Sequence, residues 1–187
     1  MIEAELKAHV HAPEFVLRRL EERATGRAEV YQDTYYDNPA GGFTASDQEL
    51  RVRTVHGPDE TRSLLTYKGA KVDDASGSKP EHETRVTDPE ATHAVLRGLG
   101  YAPVIAFEKR CRNYEFTAHG RPMLATLVQV PEIDGMFLEL ETLVVEESDL
   151  ASALDDVRAV LQELGIGESD LTRELYTDAV RTTRARG

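Results

Sequence analysis

Residues 1–10 alternate strictly, with Ile2, Ala4, Leu6, Ala8 and Val10 set against Glu3, Glu5, Lys7 and His9. A period of two predicts a strand with one apolar and one charged face. The same alternation predicts strands in ELRVRTVH, HETRVT and MFLELETLVV. SLLTYKGAK, AFEKRCRNYEF and MLATLVQVPEI read as further strands, and QDTYYDNPAGG as a strand running into a Pro/Gly turn. Helical spacing takes over elsewhere. Phe15, Val16 and Leu20 predict a helix over 13–24, opened by Pro13 and Glu14. A second spans 87–99, with Asp88-Pro89-Glu90 at its start and Gly98 and Gly100 at its end. Ser148-Asp149 opens a third through Leu150, Leu154, Val157 and Leu161, stopped by Gly165, and a fourth follows from about Asp170. DDASGSKP is a polar loop. No repeat or linker divides the chain, so residues 1–187 are expected to form a single domain. Roughly eight strands and four helices predict an α+β fold built mainly on antiparallel strands.

The charged faces change this picture. Glu3, Glu5 and Lys7 share one face, as do Arg51 and Arg53, then Glu81, Glu83 and Arg85, then Glu139 and Glu141. Residues 109–112 read Lys-Arg-Cys-Arg, and Lys68 stands alone in an apolar strand. One such pair is most simply a solvated sheet face. Together they are sorted by sign, carboxylate pairs on some strands and bases on others. Like charges two residues apart on one face repel unless a ligand or counterion lies between them. The opposite faces, Leu50 and Val52 or Leu138 and Leu140, are apolar and need helices outside. The expected architecture is an eight-stranded antiparallel closed β-barrel with helices packed outside and a charged lumen.

Charge type then suggests a ligand. Converging Lys and Arg match the oxygens of a polyphosphate. Glutamates beside phosphate need a cation between them, and hard oxygen donors suit Mg²⁺ or Mn²⁺. The 187 residues carry a net charge of -12, which repels nucleic acid and anionic membranes at long range. A small-molecule triphosphate is therefore the expected partner, with the chain a monomer or homodimer. No apolar run is long enough for a membrane helix, the N-terminus has no signal-peptide pattern, and the one cysteine builds no disulfide framework; a cytoplasmic location is expected.

These motifs make the chain resemble the CYTH family, the triphosphate tunnel metalloenzymes, in its class IV adenylyl cyclase-like branch. The carrying residues are Glu3-Ala4-Glu5-Leu6-Lys7, Gln32-Asp33-Thr34-Tyr35-Tyr36, Leu50-Arg51-Val52-Arg53, Leu65-Thr66-Tyr67-Lys68-Gly69, Glu81-His82-Glu83-Thr84-Arg85, Phe137-Leu138-Glu139-Leu140-Glu141 and Leu171 through Tyr176. They cover almost the whole chain in the family's order. The resemblance implies that Lys7, Arg51, Arg53, Lys68, Arg85 and the bases Lys109, Arg110 and Arg112 hold a triphosphate. It implies that Glu3, Glu5, Glu139 and Glu141 hold one or two divalent metals, with Glu83 near the bases, orienting them or the metal's waters, and Glu81 in a supporting place. Tyr36 is a candidate for stacking a base, although buried packing is the commoner role for such a tyrosine, and Tyr176 is a candidate for closing one tunnel mouth, with plain packing an equal reading.

The reaction expected is metal-dependent hydrolysis of inorganic, nucleoside or thiamine triphosphate, with Glu5 and Lys7 closest to the chemistry. Adenylyl cyclisation of ATP is the alternative, and a non-catalytic binding module a third reading. Two departures from the family's pattern bear on these expectations. The strand at Leu127-Val128-Gln129-Val130-Pro131 has no aspartate in register. Around 109–112, parity turns either Lys109 and Cys111 inward or Arg110 and Arg112, and a bulge would be needed for more. Cys111 is expected to be a small buried residue, although a thiol among bases would have a lowered pKa.

Overall fold

The computed structural model describes residues 1–187. Its strands are β1 (Ile2–His9), β2 (Arg27–Asp37), β3 (Glu49–His56), β4 (Thr61–Lys68), β5 (Lys79–Val86), β6 (Ala102–Ala118), β7 (Arg121–Gln129) and β8 (Phe137–Val144). They close into a barrel in the order β1-β5-β4-β3-β2-β6-β7-β8. Every pairing is antiparallel, and β1 closes the ring by bonding to both β5 and β8. The barrel expected from the alternating charges is the one the chain forms.

Five α-helices accompany it: α1 (Pro13–Glu21), α2 (Gly42–Ala45), α3 (Pro89–Gly98), α4 (Leu150–Glu163) and α5 (Tyr176–Arg186). The short α2 sits in the turn after β2. The Asp37 carboxylate organises it by accepting from the amides of Asn38, Phe43 and Thr44 and from the Thr44 hydroxyl. The last helix starts later than its pattern predicts. Residues 168–170 make only a 3-10 turn. Leu171 then bridges to Ala8, and the Thr172 amide donates to the Lys7 carbonyl, so this stretch is held along β1 before α5 begins.

The apolar strand faces point outward into helices. Ala4, Leu6, Ala125, Leu138 and Leu140 meet Leu154, Val157, Val160 and Leu161 of α4 in the largest buried cluster. A smaller cluster joins Tyr36, Leu50 and Val52 to Leu96 of α3. These contacts fix which face of each strand looks inward, because a one-residue slip would exchange apolar for charged faces along the strand. A third cluster lies inside one end of the barrel, where Tyr35, Phe107, Val128 and Phe137 pack with Tyr176 and Val180 of α5.

Candidate active site

The inward faces enclose a cavity of about 290 Å³ lined by Glu3, Glu5, Lys7, Arg51, Arg53, Lys68, Lys109, Glu139 and Glu141, among others. The register of β1 and β8 sets Glu5 opposite Glu141 and Lys7 opposite Glu139. Glu3, Glu5 and Glu141 consequently bring carboxylate oxygens within 4.8 Å of one another. Lys68 bonds to Glu3 and stands 3.1 Å from Glu81. Glu139 lies apart from the trio, 3.6 Å from Lys109. The four-glutamate set expected from the family thus divides into a cluster of three and a fourth carboxylate among the bases.

Burial disfavours the charge on every member of the trio. For Glu3, Lys68 outweighs that penalty and holds its carboxyl below the usual range. Glu5 has no such partner; burial, then Glu3 and Glu139, push it up to about 8. Burial followed by Glu3 and Glu5 hold Glu141 well above the ordinary value. Only Glu3 has a cation bonded to it, and Glu5 and Glu141 keep their protons while no ion is near. That donor set, all hard oxygens, fits a divalent ion such as Mg²⁺ or Mn²⁺.

A pH dependence follows. The folded chain keeps the Glu5 proton up to about 8, whereas the unfolded chain releases it near 4.5. Folded protein therefore binds more protons in that window, and metal-free stability should fall as pH rises through it. Glu141 acts in the same direction. Glu3, whose value is depressed, contributes stability that is lost only in more acid solution. A metal must displace the retained protons, so its affinity should climb over the same range. Melting curves in chelator and in Mn²⁺ between about pH 5 and about pH 8 check this; a metal-induced shift independent of pH would contradict it.

The rest of the lumen is cationic, with Arg51 and Arg53 on β3, Lys109 on β6, and Lys7 further along β1 from the trio. Arg53 donates to both oxygens of Asp33, at 2.6 and 2.7 Å, and lies over the Tyr31 ring. Arg51 donates to the Thr66 hydroxyl at 3.2 Å, and Thr66 in turn donates to Glu83 at 2.8 Å. Lys7 donates to the Glu174 carbonyl. The ammoniums of Lys7 and Lys109 sit 4.3 and 4.6 Å from the Tyr176 ring centre. Arg51 Nε and the Tyr176 hydroxyl are buried with no hydrogen-bond partner. Buried polar groups without partners are uncommon in native folds, and oxygens of a bound anion would satisfy both.

Asp33 was not anticipated as a site residue. It is 1% exposed, and despite burial the guanidinium of Arg53 holds its carboxyl far below the usual range. It acts as a fixed counterion that aims Arg53. Asp33→Asn should tighten triphosphate binding severalfold, because the lumen gains net positive charge, yet lower turnover about tenfold through loss of that aim. Steady-state kinetics and titration on the same preparation check the split. A parallel fall in affinity and turnover would mean that Asp33 serves only the fold.

Other expected residues fall outside the cavity. Arg85 is 60% exposed at the side chain and pairs with Glu60 at 2.7 Å; it stands opposite Leu64 of β4, on the stretch of β5 that no longer pairs with β1. Arg110 and Arg112 point outward to Glu108 and Glu21 at 3.2 and 3.0 Å. Parity is regular there, and the bulge between β2 and β6 sits at Tyr35/Tyr36 instead. Lys109 and Cys111 accordingly face inward. Burial pushes the Cys111 thiol up to about 12, against the lowered value expected among bases. Tyr36 lies outside the barrel wall, 2.6 Å from His93. Glu81, Glu83 and Tyr176 do line the cavity, joined by the unanticipated Glu49, Arg62 and Lys79. Toward the cavity, β7 offers Leu124 and Thr126, so no acid replaces the absent aspartate.

A closed antiparallel barrel whose lumen gathers carboxylates with guanidinium and ammonium groups defines a charged-tunnel protein. The CYTH domain family matches residues 1–176, and the chain belongs to that family. A Methanocaldococcus jannaschii protein provisionally named an adenylate cyclase is 24% identical over 180 residues, covering 95% of this chain and 98% of that one. The adenylate cyclase CyaB of Aeromonas hydrophila is 28% identical over 145 residues, 78% of this chain and 69% of that one. Among solved structures, the PH1819 protein of Pyrococcus horikoshii superposes with a TM-score of 0.83 at 27% identity, covering 97% and 99% of the two chains. A Hippeastrum protein provisionally named an adenylyl cyclase, and described as having a dominant triphosphatase activity, shares the fold at a TM-score of 0.66 and 16% identity over 97% and 95% of the chains. No helix is long and apolar enough to cross a membrane.

Proposed function

We propose that this chain is a divalent-metal-dependent hydrolase of a triphosphate-bearing substrate. The observation that carries the reading is one enclosed lumen that gathers a trio of oxygens from Glu3, Glu5 and Glu141 together with Lys7 on the same strand and Arg51, Arg53 and Lys109 from β3 and β6. Arg51 offers its free Nε, Arg53 the edge of its guanidinium not bound to Asp33, and the two lysines point charges. Together they bind the triphosphate, hold it in line and stabilise charge on the phosphoryl group in transfer. A divalent ion held by the trio would supply positive charge between carboxylates and phosphate oxygens and acidify water. Glu5, as one of the trio, is placed to position an attacking water beside such an ion. The Tyr176 hydroxyl and Arg51 Nε are left to donate to the bound anion.

Cyclisation of ATP is the second reading, favoured by the cyclase names of the two sequence relatives. It would use the same triphosphate cradle and differ in the attacking group, a ribose hydroxyl in place of water. Tripolyphosphate, ATP and thiamine triphosphate incubated with Mg²⁺ or Mn²⁺ separate the readings. Phosphate release is the expected result. Cyclic AMP with diphosphate from ATP would give the cyclase, and tight binding without turnover a non-catalytic module.

A further inference from the structure

Residues 82–86 of β5 pair with β4 alone. β1 meets β5 only where Ile2 faces Pro80 and Glu3 faces Lys79, and the Glu81 amide makes one further bond, to the Met1 carbonyl at 2.9 Å. Past Glu81 the strand runs on beyond the start of β1, and its outer edge is bare. The groups that this edge presents follow from strand alternation. The Gly69 amide donates to the Pro80 carbonyl on the β4 side, whereas the Glu81 amide points to the β1 side. Successive residues turn their backbone polar groups to opposite sides, so Glu83 and Arg85 present amide and carbonyl to the bare edge, and His82, Thr84 and Val86 turn theirs to β4. His82, Glu83, Thr84 and Arg85 are all exposed.

An open strand edge is a template for another strand. The charges along this one suit a second copy of itself. Twofold self-pairing is antiparallel, and only registers that set odd residues against odd residues bring the bonding groups face to face. Centring on Glu83 or on Arg85 sets like charges against each other at the twofold axis. Centring on Thr84 sets Glu83 opposite Arg85 of the second copy and Arg85 opposite its Glu83, so that both reciprocal hydrogen-bonded pairs join opposite charges. The side chains are available for this. Arg85 is held by Glu60 in a pair more than half exposed on both sides, which contributes little. Glu83 meets Thr66 and Arg51 through Oε2, leaving Oε1.

Apolar surface lies beside the bare edge. Met1, Leu143 and Val145 are 60%, 48% and 73% exposed. Leu143 stands opposite Glu3, and Val145 follows Val144, which stands opposite Ile2, so the three gather at the start of β1 where β5 runs past it. Apolar side chains gathered at an unpaired edge suit a protein contact. The net charge of -12 on each copy opposes association at long range, and salt screens that repulsion more than it screens pairs in contact.

We propose that the free edge of β5 is the surface through which two copies of this chain associate, by antiparallel pairing about Thr84 that also covers Met1, Leu143 and Val145. The pairing carries Arg85 of the second copy to Glu83, whose side chain lines the tunnel, so each copy lends a base to the rim of the other's cavity.

Sedimentation equilibrium from about 1 to about 200 μM protein in about 0.15 M salt reads the association. The wild-type mass should rise toward twice that of the monomer. Arg85→Glu sets like charges opposite at both pairs and should weaken association about tenfold or more. Glu83→Arg combined with Arg85→Glu exchanges the partners and should restore it. Arg85→Pro removes an edge amide that no strand of its own chain uses, so it should abolish association and leave the monomer's melting curve close to wild type. Thr84→Cys places two thiols across the twofold axis and should give a disulfide-linked dimer when an oxidant is added, the native Cys111 being buried. A wild type that stays monomeric at every concentration would overturn the proposal, even if the edge then took a strand from a different protein. A dimer that withstands both Arg85 substitutions, or one that the exchanged pair fails to restore, would overturn it equally. Should Arg85→Pro melt early, the reversed and exchanged charges decide alone.

Discussion

Lys7→Ala is expected to weaken tripolyphosphate binding by about 10- to 100-fold at low ionic strength, the worth of one buried charge-assisted contact. Stability should change little, because Lys7 bonds only to the Glu174 carbonyl and otherwise lies over the Tyr176 ring. Arg53→Ala should cost binding at least as much, with a different effect on the fold. It strands the Asp33 carboxylate, which is buried and has Arg53 as its ion-pair partner. An unpartnered buried charge of that kind costs about 3–5 kcal/mol. Pairing Arg53→Gln with Asp33→Asn should recover most of the stability and none of the affinity. Calorimetric titration beside thermal melts reads both quantities. Unaltered triphosphate affinity in Lys7→Ala would mean that this ammonium does not meet the ligand.

Glu5→Gln combined with Glu141→Gln should move stability and activity in opposite directions. Both carboxylates are held protonated by burial and by their neighbours in the absence of a cation. The amides remove that electrostatic cost at near-equal shape, so the metal-free double variant should melt several degrees higher than the wild type near pH 8, a change of about 1–3 kcal/mol. The same change removes two of the three clustered donors, and Mn²⁺ should then neither raise the melting temperature nor stimulate turnover. Persistent metal stimulation in this variant would show that the ion is held elsewhere in the lumen. A lower melting temperature in chelator would show that the trio does not repel itself.

The barrel was legible because strand alternation records both faces at once. Leu138 and Leu140 need α4, and Glu139 and Glu141 need something inside, so β8 specifies its own orientation. Around 109–112 parity leaves two settings open, and the structure takes the one that turns Lys109 and Cys111 inward, against the pull of charge toward Arg110 and Arg112. Arg85 shares a face with Glu81 and Glu83 in sequence, but alternation does not say where a strand parts from its neighbour, and Arg85 lies on the stretch of β5 that no longer pairs with β1. Asp33 was readable in principle, since Tyr31, Asp33 and Tyr35 alternate as cleanly as Glu3, Glu5 and Lys7. As a lone acid between aromatics it lacks the charge pair that marks the other strands. Lys79 was hidden differently: it closes a polar loop in sequence and becomes the first residue of β5 only through its pairing with Glu3. The division of the glutamates into a trio and Glu139 depends on where Lys68 and Lys109 reach across the lumen, which strand pattern alone does not specify.

Crystals grown with Mn²⁺ and tripolyphosphate would test the shared lumen most directly. Anomalous density should peak among the carboxylates of Glu3, Glu5 and Glu141, with phosphate density reaching from there toward Arg51, Arg53 and Lys109. Manganese bound only at the outer acidic surface, with the lumen holding water alone, would contradict its assignment to a metal–triphosphate complex.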